Sequence, residues 1–297
     1  MRVSTLSNYL TTTHGLGSAL ERVQQTREQV ASGKTLTRWS DDPAAASAAE
    51  RYRAEEADHT TYQRSAGDAQ AWLGTADGAL QSMSSILVRI KELAVSATNG
   101  SLTSASREAI AQEVEELRDQ LRDLGNTTHL GRSLFGGFAP TALGTGPGGV
   151  VTLTGDAGEV KRQVSPTITV TVNVHASEVF GFAAGAGQDL FSQLDQLASA
   201  ARAGNTAAAG AAQSTLEARH GDILKGLAKV GAVTNRVHTA EAGGSAALQD
   251  LAERRSEVED VDLADAVLRM SSAQAGYQAA LGAAARANLP SLAEFLR

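Results

Sequence analysis

The chain has 297 residues, 42% hydrophobic but only 4% aromatic, and aromatic side chains normally supply much of a globular core's buried area. A net charge of −7 and a pI near 5.4 disfavour a nucleic-acid surface, which needs a basic stripe. The absence of cysteine excludes disulfides, zinc–thiolate sites and thiol catalysis.

No apolar run is long enough to span a membrane, and Ser, Thr, Asn and His interrupt the opening segment where a cleavable leader would need an apolar stretch. What remains is Ala and Leu in helical periodicity, which suits narrow helix–helix seams and predicts a mainly α, elongated antiparallel bundle or coiled-coil rod. A first helix is expected from about Val3 to Ser32. Leu6, Leu10, Thr13, Leu16, Leu20, Val23, Arg27 and Val30 recur at steps of three and four. Gly33 follows, at the position where a helix often ends on glycine.

A polar break leads to Ser40, Asp41, Asp42 and Pro43. Asp before a helix accepts bonds from free backbone N–H groups, Pro at the first helical position has no N–H to leave unsatisfied, and the acidic pair opposes the positive end of the helix dipole. Adjacent carboxylates pointing apart at a cap are poorly placed for acid–base catalysis. The helix that starts here carries Ala69, Leu73, Ala76, Leu80, Met83, Leu87, Ile90, Ala94 and Ala97 in an unbroken 4-3 spacing, a coiled-coil seam. Continued to Thr98 it would measure roughly 80 Å. Asn99-Gly100 ends it. A third helix, capped near Thr103 or Ser104, carries Ile110, Val114, Leu117, Leu121 and Leu124 and returns antiparallel after the short link.

From Gly136 to Gly187 the pattern changes to abundant Gly with β-branched runs at Val150–Thr154 and Ile168–Val172, and Gly155-Asp156-Ala157-Gly158 reads as a turn. This predicts a small β-rich insertion, expected as hairpins at the tip of the rod. Helical spacing resumes at Leu190, Leu194, Leu197 and Ala201 and closes at Gly204-Asn205. The next seam runs from about Thr206 through Leu216, His220, Ile223, Leu227, Val230, Thr234 and Val237. Gly243-Gly244 is expected to interrupt or weaken it before a charged stretch from Glu253 to Asp262. A last helix, about Leu263 to Leu296, has two apolar rows, with Val261, Leu268, Ala275, Gly282, Leu289 and Leu296 in one and Val267, Leu281 and Phe295 in the other.

Five segments follow: an assembly helix and linker at 1–39, rod halves at 40–135 and 188–262, the insertion at 136–187, and a second assembly helix at 263–297. The near-mirror order suggests that the two ends lie together. Gly144, Gly146 and Gly149 match G-x-G-x-x-G, but Pro147 lies inside the loop and a strand follows, so no helix N-terminus is offered to a pyrophosphate. Val150 stands where Walker spacing requires Lys. The six histidines include no i, i+4 pair for a metal, and no Gly-x-Ser-x-Gly elbow is present. No enzyme, cofactor or metal is expected. The apolar faces of the two terminal helices (Leu6, Leu10, Leu20, Val23 and Val30; Val267, Leu268, Leu281, Leu289, Phe295 and Leu296) are the strongest functional signal. One helix pair has little core of its own, so these faces are assigned to packing between subunits, with intramolecular packing on the central seams as the alternative.

Particular stretches carry a resemblance. Met1-Arg2-Val3-Ser4-Thr5, Ser32-Gly33-Lys34 and Ser40-Asp41-Asp42-Pro43-Ala44 resemble the N-terminal region of the flagellin-like family. Pro after the two Asp residues is similar to the hook-associated branch, where filament flagellins usually have Ala. Asn126 and Leu134-Phe135-Gly136-Gly137 resemble the close of the third helix. Glu178-Val179-Phe180-Gly181 and Asp189-Leu190-Phe191 resemble the return from the insertion. The C-terminal half matches at Val230-Gly231-Ala232, Asn235-Arg236-Val237 and Val258–Ala264, and the chain closes similarly on Ser291-Leu292 and Phe295-Leu296.

Trp39 departs from the Pro commonly found there and leaves the break less constrained. The resemblance implies a structural subunit of the bacterial flagellum at the hook–filament junction, outside the cell. It implies export unfolded through the flagellar type III apparatus without signal cleavage. The partners it implies are further copies in a ring, another hook-associated protein, flagellin, and an export chaperone at the C-terminal region. A filament flagellin, or a cytosolic coiled-coil scaffold, is the alternative.

Overall fold

A computed structural model of the chain describes residues 2–184 and 187–287. Seven α-helices are present among them: α1 (Arg2–Ser32), α2 (Pro43–Ala97), α3 (Ser104–Gly125), the short α4 (Ala176–Val179), α5 (Leu190–Ala203), α6 (Thr206–Glu259) and α7 (Leu263–Ala287). The chain divides into two compact units, residues 59–246 and residues 1–58 with 247–297.

In the 59–246 unit the expected seam is the core. Ala69, Leu73, Ala76, Leu80, Met83, Leu87, Ile90 and Ala94 are all buried, facing Val114 and Leu121 of α3 and Leu216, Ile223, Val230 and Val237 of α6. Polar pairs give the directions. Gln63 meets Ser245 and Ser84 meets His220, so α6 runs antiparallel to α2. Arg89 meets Glu113 on α3, and Arg202 of α5 bonds both Glu108 and Glu115. Thr103 caps α3, its Oγ1 accepting from the Ser106 N–H at 3.1 Å. Asp189 does the same for α5, and Gly204 at φ 67° ends it in the left-handed conformation, which costs glycine no Cβ clash. α6 continues through Gly243-Gly244, so of the two outcomes expected, interruption or weakening, the interruption does not occur. Two glycines cost a helix interior only a kcal/mol or so each relative to Ala, and packing on either side exceeds that.

The β-rich region forms three separate two-stranded antiparallel ladders. β1 (Thr128–His129) pairs with β2 (Arg132–Ser133), β3 (Leu143–Thr145) with β4 (Val151–Leu153), and β5 (Lys161–Gln163) with β6 (Thr169–Thr171). The glycine-rich G-x-G-x-x-G stretch is the β3–β4 connection, with a 3-10 turn at Pro147–Gly149. Gly155–Gly158 joins one ladder to the next, pinned by Asp156 Oδ1, which accepts from the Phe138 and Gly158 N–H groups at 2.8 and 2.7 Å. Asn126, just past α3, holds the start of β3 by accepting from the Ala142 and Leu143 N–H groups and donating to the Leu143 carbonyl.

The insertion packs against the side of α2 rather than at its turn into α3. Arg162 of β5 pairs with Asp68 at 2.6 Å, and His129 of β1, just ahead of the insertion, lies edge-on to Trp72, so this region sits beside the middle of α2. The turn from α2 to α3 lies roughly 40 Å further along. Leu134, Phe135, Val160, Val170, Val172 and Phe180 join the helical core cluster. So few strand residues cannot bury a core alone, and the helices supply the missing partner surface.

Candidate assembly interface

In the other unit, the two polar breaks meet. Gly33, at φ 69°, ends α1 in the left-handed conformation. Its carbonyl accepts from Val261 N–H at 3.0 Å, and Thr35 N–H donates to the Glu259 carbonyl at 2.7 Å. Thr35 Oγ1 adds a bond to the Asp260 carbonyl. This short ladder sets the end of α1 beside the start of α7, so the two helices pair antiparallel.

Under the ladder lies Glu259, 2% exposed and held by three cations. Lys34 Nζ lies 3.1 Å away, Arg255 Nη1 3.4 Å, and Arg53 forms a third, close ion pair. Arg255 also reaches Glu56 at 3.0 Å. A carboxylate taken out of water is costly unless paired, so the cluster specifies how the breaks, α2 and α6 meet. Asp42 caps α2 by accepting from the Ala44 and Ala45 N–H groups at 2.9 and 3.0 Å, with Pro43 at the first helical position. Asp262 repeats the device on α7, accepting from Ala264 at 2.9 Å and Asp265 at 3.3 Å.

Asp41 does not share the capping role. Its Oδ2 turns back into the break, accepting from Thr37 Oγ1 at 2.9 Å and from the Arg38 and Thr37 N–H groups. The Thr37 hydroxyl bond, aided by the backbone donors, holds this carboxyl below its ordinary range. Ser40 is exposed and only links the two parts.

The terminal helices pair without making a core. Among the described side chains of α1 and α7, only Ala19 and Ala266 are buried. Leu10, Leu20, Val267, Leu268 and Leu281 are between 40% and 67% exposed, whereas Val23 and Val30 are half-buried. Leu6 lies in α1, but its side chain, like Leu289, Phe295 and Leu296 altogether, lies outside the described residues. An open groove of about 760 Å³ runs between the helices, lined mostly by small and polar residues including Gly15, Ala19, Ser272, Ala273 and Gly276, together with Leu268. Among the described residues no cluster of His, Asp or Glu is arranged to hold a metal ion, and no helix is long and apolar enough to cross a membrane.

Sequence reasoning assigned the apolar rows and the Asp–Pro start but missed Glu259 and its cations, which sit as far as 225 residues apart in the chain. Asp262 was legible, as an acidic residue immediately before a helix. The Glu259 partnership left no local signal.

Comparison with known proteins matches residues 3–139 to the bacterial flagellin N-terminal helical region and residues 214–296 to the C-terminal helical region. The chain is 25% identical to a flagellar hook-associated protein 3 of Escherichia coli K12, over 94% of this chain and 96% of that one. It is 29% identical to polar flagellin F of Vibrio parahaemolyticus, over only 44% of this chain and 35% of the flagellin. Among solved structures, a putative flagellar hook-associated protein from Vibrio parahaemolyticus aligns with a TM-score of 0.69 at 21% identity, covering 74% of this chain and all of that one.

Proposed function

The chain belongs to the bacterial flagellin family, and from that premise we propose that it is the structural subunit that joins the flagellar hook to the filament. The observation that carries the junction role is the span of the match: end to end with a hook-associated protein 3, but over less than half of either chain with a flagellin. The Pro43 start supports the same branch. Assembly proceeds through α1 and α7, whose exposed Leu10, Leu20, Val267, Leu268 and Leu281 become buried between copies around the axis of a ring. The same role supplies its neighbours, another hook-associated protein on the hook side and flagellin on the other. The subunit leaves the cell unfolded through the flagellar export apparatus, with a chaperone on its C-terminal region until then, and works outside the cell without enzymatic chemistry.

Electron microscopy of a deletion strain tests this reading. Hooks without filaments, with flagellin shed into the medium and filaments restored by the cloned gene, are expected. Normal filaments in the deletion strain would refute it. Filament flagellin is the second reading, favoured by the shared terminal regions. The purified protein forms short joints under the first reading and long filaments by itself under the second.

A further inference from the structure

The turn between α2 and α3 holds the chain's sole Asn–Gly pair, Asn99-Gly100. Both residues are exposed, and the space where a Cβ would stand on Gly100 is empty to beyond 4 Å. Both residues therefore face solvent, with nothing beyond its chain neighbours packed over the Gly100 Cα. The Asn99 side chain is also held. Its Oδ1 accepts from the Ser101 N–H at 3.1 Å and from the Ser101 hydroxyl at 2.7 Å. Two donors on that oxygen draw electron density from Cγ and sit where negative charge would grow if a nucleophile added there.

We propose that Asn99 is a site of spontaneous covalent modification, converted in the folded protein to aspartate and isoaspartate, with Ser101 as the positioning residue. The Gly100 backbone nitrogen bonds to Asn99 Cγ, the Cγ–Nδ2 bond breaks, and ammonia leaves carrying the proton lost from the Gly100 N–H. Water then opens the resulting succinimide at either carbonyl, its hydroxyl going to the carbon and its hydrogen to the nitrogen. No oxidant or enzyme is required. The product adds one carboxylate to a chain of net charge −7, at the C-terminal end of α2 where helix carbonyls disfavour an anion. The isoaspartyl form also inserts a methylene into the main chain beside the Leu102 N–H to Asn99 carbonyl bond. The change is irreversible in water, so it marks the age of each subunit at this turn.

The test incubates the purified full-length protein in mildly alkaline buffer, alongside the same protein unfolded in urea. Peptide mapping by mass spectrometry reads replacement of the Asn99 amide by an acid and separates aspartyl from isoaspartyl peptides. Asn99 should convert ahead of Asn126, Asn173, Asn205 and Asn235 in the folded protein, and Gly100→Ala should suppress conversion strongly. Ser101→Ala should slow it several-fold while Ser101→Thr keeps the rate, with helical circular dichroism confirming that each variant folds. Conversion in urea but not in the folded protein would overturn the proposal. An unchanged rate in Ser101→Ala would overturn the role given to Ser101.

Discussion

Asp42 accepts two backbone N–H bonds at the start of α2, and Asp42→Ala leaves those donors to water. The expected cost is about 1 kcal/mol, read as faster hydrogen exchange at residues 44–47; unchanged protection would place the cap elsewhere. Asp41 answers to a different partner. Its carboxyl is held low mainly by the Thr37 hydroxyl, so the folded pKa lies below the unfolded one. Its stabilising effect is therefore present above the ordinary carboxylate pKa and is lost as pH falls through the depressed value. NMR titration of the Asp41 carboxyl checks this, and Thr37→Val should move its midpoint upward. The two neighbours thus divide the break between them, one starting the helix and the other closing the loop before it.

At the scale of elements, the α2–α6 seam sets the stability of the larger unit. Leu80 and Leu87 are fully buried in it, and Leu80→Asp or Leu87→Asp would place an unpaired charge there at a cost of several kcal/mol. Thermal melts of both variants are expected well below wild type. The same seam contains a titratable group. His220 Nε2 lies 2.9 Å from Ser84 Oγ, and burial, with Lys91 nearby, lowers its pKa. The folded state binds this proton less readily than the unfolded state. Stability is therefore retained above the ordinary histidine pKa and falls as pH drops through it. Denaturant midpoints from about pH 7 to about pH 5 should decline through this group, and His220→Asn should flatten its part of the slope.

For the whole molecule, the contrast between units carries the assembly argument. The 59–246 unit has a continuous buried cluster joining α2, α3, α5 and α6 with the insertion. The terminal helices contribute only Ala19 and Ala266 to buried positions among their described side chains, and isolated helices are marginal in water without packing partners. The expectation for the free subunit is that α1 and α7 order fully only on assembly, where neighbours offset the entropy of ordering. A fragment of residues 40–262 should then give nearly the helical circular dichroism of the full-length monomer. Loss of the signal of α1 and α7, 31 and 25 residues long, would instead show them already ordered. Expressed in place of the whole protein, the fragment should leave cells non-motile; swimming cells would remove the termini from the mechanism.

The sequence by itself determined the long helices, several of their starts and ends, and the family. Those signals are local: the 4-3 spacing from Ala69 to Ala97, Asp42-Pro43 at one helix start, Gly33 and Gly204 at helix ends, each acting through neighbours a turn or two away. It also indicated through its mirror order that the ends meet. The tertiary structure decided the rest. It placed the insertion beside Asp68 and Trp72, because strands too short to bury their own valines take partners from the helices. It carried α6 through Gly243-Gly244, because packing along a long seam outweighs two weak residues. It also gathered Lys34, Arg53 and Arg255 around Glu259, because a buried carboxylate requires opposite charge from whichever part of the chain the fold brings within reach, and local spacing holds no trace of that choice.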